Sequence, residues 1–503
     1  MKISQLNLQT EKTWHQVFGV LDRDGQPLNI QIRRMIVHAV ETGLLPTDAR
    51  LPSSRELAAR LGIGRNTVTA AYQQLIDEGF LASRQRSGIF VCAVVKPAVI
   101  TEATRRPSDW ATRFAMKPSR LPQISKPRDW RSYPYPFLSG QYDPGLFPTN
   151  NWREAVRATS SVQEIQVWAA DMIDDDDPDL IEQLRVQVLP RRGISAQPGE
   201  VMVTLGSQQA LSMLVQLFVA RDTPVGLEDP GYPDLRNMMR LATMKPVFLT
   251  SDDHGLIPDD AFGRCDIAFV TAGHQCPTTS VMPLARRNAL LDAAARSDVL
   301  LIEDDYDADL SVEADSDIPS LKSLDRAERV IYIGSFSKVL APGLRIGYVV
   351  APKPVIDELR VLRRLMLRHP PTNNQRSLAT FIGLGHYRQH LSRAGAAILE
   401  RARLIERLLP ETMPSCRLRR GDGATSFWIE GPPELDARAM AEIARAQGIL
   451  VEAGDIFFSV PAQGRNFFRI GFSSIATHRI ESGLVKLGAI VEDCGRRALC
   501  HTA

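Results

Sequence analysis

The sequence of 503 residues has no cysteine pair with CxxC spacing, no long apolar run and no apolar leader segment. Its six cysteines are scattered, so the sequence indicates neither a zinc site nor a disulfide framework. A membrane-spanning helix needs about 20 consecutive apolar residues, and the first residues, MKISQLNLQTEKTW, lack the apolar core of a signal peptide. These absences predict a protein of the reducing cytoplasm that binds no metal and enters no membrane.

The net charge of +2 conceals an uneven distribution along the chain. Residues 28–93 hold 8 Lys or Arg against 5 Asp or Glu, and residues 94–136 hold 9 against 3. Because the whole chain carries only +2, the remainder is acidic. A basic front predicts contact with a polyanion, whereas a solvated basic tail is the alternative.

The pattern of residues 28–91 is typical of three helices followed by a β-hairpin. Helical periodicity predicts helices over 28–42 and 65–78, and the S-x-x-E spacing from Ser53 to Glu56 predicts a short helix that ends at Gly62. The alternation that follows predicts the hairpin. This arrangement is a winged helix-turn-helix, and a plain three-helix packing module is the alternative.

The second helix of such a motif places its N-terminal residues in the major groove, where arginine and asparagine pair with base edges. The candidates for base contacts are therefore Arg65, Asn66 and Thr67. Further candidates, for contacts to phosphate or the minor groove, are Arg55, Arg84, Arg86 and Gly88. The stretch LPSSRELAARLGIGRNTVTAAYQQLIDEGFL resembles the GntR family of bacterial regulators, which implies binding to a double-stranded DNA operator.

Residues 94–136 are rich in proline and arginine and lack a sustained period, which predicts a semi-extended linker. The linker either adds non-specific DNA affinity through its charge or serves as a passive spacer. We therefore divide the chain into a DNA-binding domain over 1–93, a basic linker over 94–136 and a large domain over 137–503.

Strand and helix patterns alternate in the large domain, which favours an α/β fold with a mostly parallel sheet covered on both faces. Strands are predicted over 201–204, 267–271, 299–302, 330–333 and 347–351, and helices over 207–220 and 284–295. Sites in such sheets lie beyond the carboxyl ends of the strands, so the polar residues that follow each strand are the candidates.

These polar residues match what pyridoxal 5′-phosphate (PLP) needs. The stretch GSFSKVLAPGLRIGYVV at 334–350 offers the amine of Lys338 for an aldehyde, and Asp304 in EDDYD offers a carboxylate for a pyridine nitrogen. Tyr306 offers a hydroxyl for the ring, and Tyr232 offers a ring for stacking. Candidates for phosphate contacts are Ser207, Gln208, Ser335, Ser337 and Arg345. A metal site is the competing interpretation of EDDYD, but no histidine is close to it in the sequence.

The order and spacing of these residues resemble the fold-type I, aspartate-aminotransferase-like enzymes, whose fold has a smaller C-terminal subdomain. The resemblance implies that Lys338 forms the Schiff base with PLP. It also implies that Arg469, in NFFRIGF, binds the carboxylate of the effector or substrate. A surface arginine in a strand of the smaller subdomain is the alternative.

A GntR-like head joined to such a body resembles the MocR/GabR family of bacterial regulators, and GQYDPGLFP at 140–148 matches that family's entry into the body. The resemblance implies a head-to-tail homodimer that senses an amino compound through an external aldimine with PLP. An active aminotransferase tethered to DNA and a direct sensor of PLP are the alternatives. The effector stays open among GABA, taurine, ectoine derivatives and D-alanine-type ligands.

Two departures from the family pattern are present. Residues 174–177 are four aspartates in a loop where relatives carry a tyrosine that reaches the partner's phosphate. Because four acids would repel a phosphate, we expect this loop to face elsewhere or to contact a cationic ligand group. Cys276 precedes Pro277 where aminotransferases carry asparagine. The PLP ring oxygen therefore loses a donor, and we expect transamination to be partial at most.

Overall fold

The computed structural model describes residues 14–92, 108–307, 318–419 and 424–502, except the single positions 15, 24, 86 and 244. The chain forms two units, Met1–Ala115 and Met116–Ala503. The described α-helices are α1 (Leu28–Glu41), α2 (Ser54–Leu61), α3 (Arg65–Asp77), α4 (Thr149–Ala158), α5 (Val162–Trp168), α6 (Pro178–Gln183), α7 (Ser207–Phe218), α8 (Pro233–Ala242), α9 (Leu284–Ser297), α10 (Leu321–Leu324), α11 (Lys353–Leu367), α12 (Thr372–Gly383), α13 (His386–Thr412), α14 (Ala437–Ala446) and α15 (Thr477–Thr502).

The described strands fall into four sheets. They are β1 (Leu81–Arg84), β2 (Gly88–Val91), β3 (Tyr135–Pro136), β4 (Val201–Thr204), β5 (Val225–Asp229), β6 (Pro246–Asp252), β7 (Gly255–Leu256), β8 (Ile267–Val270), β9 (Leu300–Asp305), β10 (Val330–Ser335), β11 (Gly347–Val350), β12 (Arg417–Arg419), β13 (Ser426–Glu430), β14 (Ile449–Leu450), β15 (Glu452–Ala453) and β16 (Phe467–Gly471).

The first unit is the winged helix-turn-helix that the sequence predicts. Helices α1, α2 and α3 share a buried core, and β1 pairs antiparallel with β2 so that Leu81 faces Val91. The Ser53 hydroxyl accepts a hydrogen bond from the backbone N–H of Glu56 at 3.2 Å, which caps α2. Gly62 ends that helix in the left-handed region, with φ of 62°.

The large unit is built on an eight-stranded sheet in the order β4-β11-β10-β9-β8-β5-β6-β7. Strands β10, β9, β8, β5 and β6 run parallel, whereas β11 is antiparallel to both of its neighbours. Side chains alternate across the sheet: Ile302 packs with α7 and α11, and Leu301 packs with α9 on the other face. The prediction of a mostly parallel sheet covered on both faces is therefore confirmed.

A smaller antiparallel sheet in the order β12-β13-β16-β15 lies in the C-terminal part of the large unit. Its apolar side chains join those of α13 and α15 in one core, which includes Ile429, Ile470 and Leu487. Strand β14 pairs in parallel with β3, and Tyr135 lies opposite Ile449. This pairing joins the segment before the large sheet to β14, the short strand that precedes β15 of the smaller sheet.

The predicted linker ends earlier than residue 136. Residues 116–136 belong to the large unit, where the side-chain amide of Asn237 donates to the carbonyl of Pro122 at 2.6 Å. Lys126 of the same segment forms an ion pair with Glu452 at 3.3 Å. Such a segment makes its contacts through single residues and short 3₁₀ turns, so its packing leaves no period in the sequence. Residues 94–107 of the predicted linker lie outside the described residues.

The acidic loop at 174–177 is held by arginines of the protein itself. Asp176 and Arg363 form an ion pair at 2.6 Å, and both side chains are fully buried. The second oxygen of Asp176 accepts from the backbone N–H of Val203 at 3.2 Å. Asp177 caps α6 through the N–H of Leu180. Asp176 and Asp177 are therefore engaged inside the protein, whereas the Asp175 side chain is exposed. The expectation that this loop faces elsewhere or contacts a cationic ligand group stays a prediction.

Within the described ranges, no helix is long and apolar enough to cross a membrane. The same residues contain no group of three or more His, Cys, Asp or Glu side chains placed to hold a metal ion.

The Asp176–Arg363 ion pair generates a stability prediction. Replacing Asp176 with alanine leaves a buried guanidinium without its charge partner, which costs about 3–5 kcal/mol of the free energy of unfolding. Asp175→Ala is the matched control because its side chain is 77% exposed and lies 3.7 Å from Arg360, so we expect a loss below about 1 kcal/mol. Urea unfolding of the large unit measures both values, and equal losses would contradict the prediction.

Candidate functional site

A cavity of about 320 Å³ lies at the carboxyl ends of the parallel strands in the large unit. Such a volume is in the range of pockets that hold cofactors and small ligands. The structure brings together here the predicted residues Ser207, Tyr232, Asp304, Tyr306, Lys338 and Arg469. The cavity is also lined by residues outside the predicted set, namely Ile124, Lys126, Ser139, Gly140, Asp234, Thr271 and Cys276.

Lys338 follows the end of β10, a strand that is buried along its whole length. Burial lowers the pKa of its amine to about 8, so the neutral, nucleophilic form is far more abundant near neutral pH than in an exposed lysine. The amine lies 5.6 Å from the centre of the Tyr306 ring. Gly140 approaches from the other side with φ of 75°, and a Cβ there would lie only 2.5 Å from Nζ. Glycine at this position therefore leaves room for the lysine.

Two neighbouring aspartates at the end of β9 have different environments. Asp305 is held by Arg192 and by the Tyr332 hydroxyl, each at 2.8 Å, so its role is structural. Asp304 lines the cavity, and its Oδ1 has no hydrogen-bond partner among the described residues. Burial and the charge of Asp305 raise the pKa of Asp304 to about 7. A buried acceptor without a donor is costly, and a pyridinium N–H from a bound ring would satisfy it.

The start of α7 has the features of a phosphate site. Ser207 opens the helix after Gly206, and Arg345 lies beside that turn, donating from Nη2 to the carbonyl of Leu205 at 2.7 Å. The Ser335 hydroxyl accepts from the N–H of Ser337 at 3.2 Å. The Ser337 hydroxyl is buried without a partner in the part of the chain that the structure describes. A helix N-terminus, a guanidinium and an unused hydroxyl fit a phosphate group.

Gln208, like the predicted phosphate residues Ser335, Ser337 and Arg345, is not among the residues that line the cavity. Its side-chain oxygen accepts from the Tyr232 hydroxyl at 2.8 Å, so it positions the predicted stacking ring. Asp234 accepts from the same hydroxyl at 3.2 Å. Cys276 is buried beside these groups, and burial raises the pKa of its thiol to about 11. The thiol is therefore neutral and only a weak donor toward a ring oxygen.

Arg469, the predicted carboxylate-binding residue, already contacts a carboxylate. Its Nε lies 2.7 Å and its Nη2 2.6 Å from Oε2 of Glu452, and both residues are buried. The guanidinium also lies 4.6 Å from the centre of the Phe457 ring. Sequence analysis missed Glu452 because it meets Arg469 only through the register of β15 with β16. No local sequence signal marks this pairing.

The winged helix-turn-helix presents most of its predicted DNA-contact residues at its surface. Arg65 and Asn66 are exposed at the start of α3, Thr67 beside them is half-buried, and Arg55 is exposed on α2. Arg65 Nε donates to the Ser54 hydroxyl at 3.4 Å. These side chains lie on the two helices of the motif, where a duplex would be read.

The predicted wing residues are more constrained. Arg84 forms an ion pair with Asp48 and lies 4.5 Å from the centre of the Phe90 ring. Gly88 has φ of 116°, and the position of a Cβ there is 3.0 Å from Nε of Arg50. Sequence analysis missed the exposed Arg50 on this surface. Arg86 lies outside the described residues.

Comparisons with known proteins agree with this two-part architecture. Residues 28–91 match the family described as bacterial regulatory proteins of the gntR family, and residues 139–487 match aminotransferase class I and II. The solved structure of LysN, an α-aminoadipate aminotransferase from Thermus thermophilus complexed with N-(5′-phosphopyridoxyl)-L-leucine, superposes with a TM-score of 0.66. The two sequences are 27% identical, and the superposition covers 77% of this chain and 99% of the LysN chain.

Two curated relatives share the full architecture. The HTH-type transcriptional regulator TauR of Rhodobacter capsulatus is 39% identical over 92% of this chain and 96% of its own length. The probable rhizopine catabolism regulatory protein MocR of Rhizobium meliloti is 28% identical over 93% of this chain and 94% of its own length. The chain therefore belongs to the MocR-type transcription regulators, in which a GntR-type winged helix is fused to an aminotransferase-like, PLP-dependent domain.

Proposed function

We propose that this regulator holds PLP at Lys338 and responds to an amino compound that competes with the lysine for it. The observation that carries the proposal is the pairing of the buried Lys338 amine with the unpartnered Asp304 carboxylate in one cavity. When bound, PLP supplies an electrophilic carbon at which amines are captured. A chain that also carries a DNA-binding head can convert that capture into a change in operator affinity.

The predicted cofactor residues have separate roles. Asp304 accepts from the ring nitrogen, Tyr306 bonds the ring hydroxyl and Tyr232 covers the ring. The phosphate is held by the start of α7, with Ser207, Gln208, Ser335, Ser337 and Arg345 as direct or supporting contacts. Arg469 contributes positive charge to effector recognition while it remains paired with Glu452.

The DNA contacts of the winged helix-turn-helix and the assembly of the protein belong to the same proposal. Arg65, Asn66 and Thr67 contact bases, and Arg55 and the wing contact the sugar–phosphate backbone. The protein acts in the bacterial cytoplasm as a head-to-tail homodimer. A dimer with two-fold symmetry matches two symmetric DNA half-sites. Light scattering coupled to size-exclusion chromatography measures the number of subunits in the assembly.

Regulation rather than turnover is favoured by two features of the cavity. The Arg469 guanidinium is already paired with Glu452, and the thiol of Cys276 donates weakly where a ring oxygen needs a hydrogen bond. We expect both features to slow a complete transamination cycle without preventing amine capture.

The decisive experiment combines an amine titration with a DNA-binding assay. Duplexes are selected from a random pool by the PLP-loaded wild type, and their affinity is followed by fluorescence anisotropy as primary amines are added. We expect the affinity to change in the wild type and to stay constant in Lys338→Ala. Keto product beyond one equivalent per site would identify an aminotransferase instead.

The lowered pKa of Lys338 predicts how PLP capture depends on pH. Only the neutral amine attacks the aldehyde, so the capture rate rises with pH through about 8 and then levels off. Stopped-flow absorbance of the cofactor-free protein measures this between about pH 6 and about pH 9. Lys338→Ala abolishes capture, whereas Lys353→Ala, at an exposed lysine paired with Asp357, leaves the profile unchanged. A flat profile would contradict the assignment.

The exposed start of α3 predicts where sequence specificity lies. Arg65→Ala or Asn66→Ala weakens binding to the selected duplex by about 1–3 kcal/mol and affects random DNA less. Arg34→Ala, at an exposed arginine of α1, is the matched control and changes both affinities equally. Equal losses on selected and random DNA from the α3 variants would show that these residues do not read bases.

A further inference from the structure

Lys126 is a cavity residue with an unusual position in the chain. It lies in the proline-rich segment that follows Ala115, the last residue of the first unit, yet its side chain lines the cavity together with Lys338 and Arg469. The assigned cofactor contacts do not use it. An ammonium group in this place is either a structural partner of Glu452 or a contact for a ligand.

The segment around Lys126 is fixed to the large unit on both sides. The carbonyl of Pro122 accepts from Asn237, and Ile124 packs with Trp428 and Phe457. Further along, β3 pairs with β14, which directly precedes Glu452. Lys126 is therefore held at the cavity wall by the protein around it.

Lys126 and Lys338 are close neighbours across Gly140. The position that a Cβ on Gly140 would take is 3.8 Å from Nζ of Lys126 and 2.5 Å from Nζ of Lys338. An amine captured in place of Lys338 thus brings its other end, a few bonds away, within reach of the Lys126 ammonium.

The charges around Glu452 do not balance. One carboxylate faces two cations, Lys126 and Arg469, so the cluster carries a net positive charge in a buried setting. A ligand acid would neutralise this charge, a neutral ligand would leave it, and a second ammonium would add to it. Two acids line the cavity itself: Asp304, which is assigned to the cofactor, and Asp234, which is engaged by Tyr232 and Gln208.

The two cations differ in how firmly they are held. Arg469 contacts Glu452 at 2.6 and 2.7 Å and its side chain is 8% exposed. Lys126 lies 3.3 Å from the other carboxylate oxygen, its side chain is 26% exposed, and its amine also donates to the carbonyl of Ser139. An ammonium has three N–H donors, so one remains for a ligand. Arg469 keeps Glu452 compensated when Lys126 turns toward that ligand.

We infer that Lys126 is a specificity-determining residue: its ammonium group binds the acidic group of the amine effector, while Arg469 stays paired with Glu452. This inference rests on the proposed capture of an amine at Lys338 and adds the residue that selects an amine with an acidic group. It also means that the effector contacts the segment that continues toward the DNA-binding unit.

The test uses the PLP-loaded, full-length protein and compares three amines that have the same number of bonds between the nitrogen and the terminal oxygen: 3-aminopropanoate, 2-aminoethane-1-sulfonate and 3-aminopropan-1-ol. Each is titrated while the visible absorbance of the bound cofactor is followed. We expect at least one acid to act at a concentration roughly tenfold or more below that of the alcohol, because a charge-assisted hydrogen bond is added. The two acids distinguish a carboxylate effector from a sulfonate effector.

Variants assign the preference to Lys126. In Lys126→Met the preference for the acid disappears while the apparent affinity for the alcohol stays within about twofold, because Arg469 still compensates Glu452. Lys126→Arg restores the charge and most of the preference. Lys117→Met, at an exposed lysine of the same segment, behaves as the wild type. Normal cofactor absorbance in each variant confirms that the fold is intact.

Two results would overturn the inference alone: amines shift the absorbance but the wild type does not prefer an acid, or Lys126→Met keeps the wild-type preference. If no amine shifts the absorbance of a wild type that has bound PLP at Lys338, the proposed function fails, and the inference fails with it.

Discussion

The removal of water from the ends of the parallel strands is the constraint on which the large unit depends. A buried amine tends toward neutrality and a buried carboxylate tends toward protonation, and both effects act in this cavity on Lys338 and Asp304. The sheet imposes this environment because helices cover both of its faces and leave only the strand ends for polar groups. The chemistry of the site is thus a consequence of the way the strands are buried.

Charge pairing inside the protein decides which ionisable groups remain for ligands. Asp176, Asp177 and Asp305 are buried acids that contact arginines or helix N–H groups, so they stabilise the fold. Asp304 lacks such a partner in the described part of the chain, which separates a ligand-facing acid from structural ones only one residue away. The contact distances and the exposed fractions of the side chains likewise show that Lys126 is the less firmly held of the two cations at Glu452.

Local sequence patterns predicted the parts of the molecule that depend on local physics. The helices of the winged motif, the cap at Ser53 and the strands before Lys338 and Asp304 follow from periodicity, capping and burial. The pairs Asp176–Arg363 and Glu452–Arg469 depend on strand register and helix packing between distant segments, which one sequence does not display. Lys126 was missed for a related reason, because a segment rich in proline gives no periodic signal even where it packs closely.

The assigned cofactor contacts all lie between Ser207 and Arg345, whereas Lys126 and Arg469 come from segments on either side of that span. A gene encoding this architecture can therefore accumulate changes in the flanking segments while the central span stays constant. Related proteins can diverge in the metabolite to which they respond without a new cofactor site arising each time. The same division offers a route to engineered biosensors, in which Lys126 and Arg469 are varied while the residues between Ser207 and Arg345 are kept.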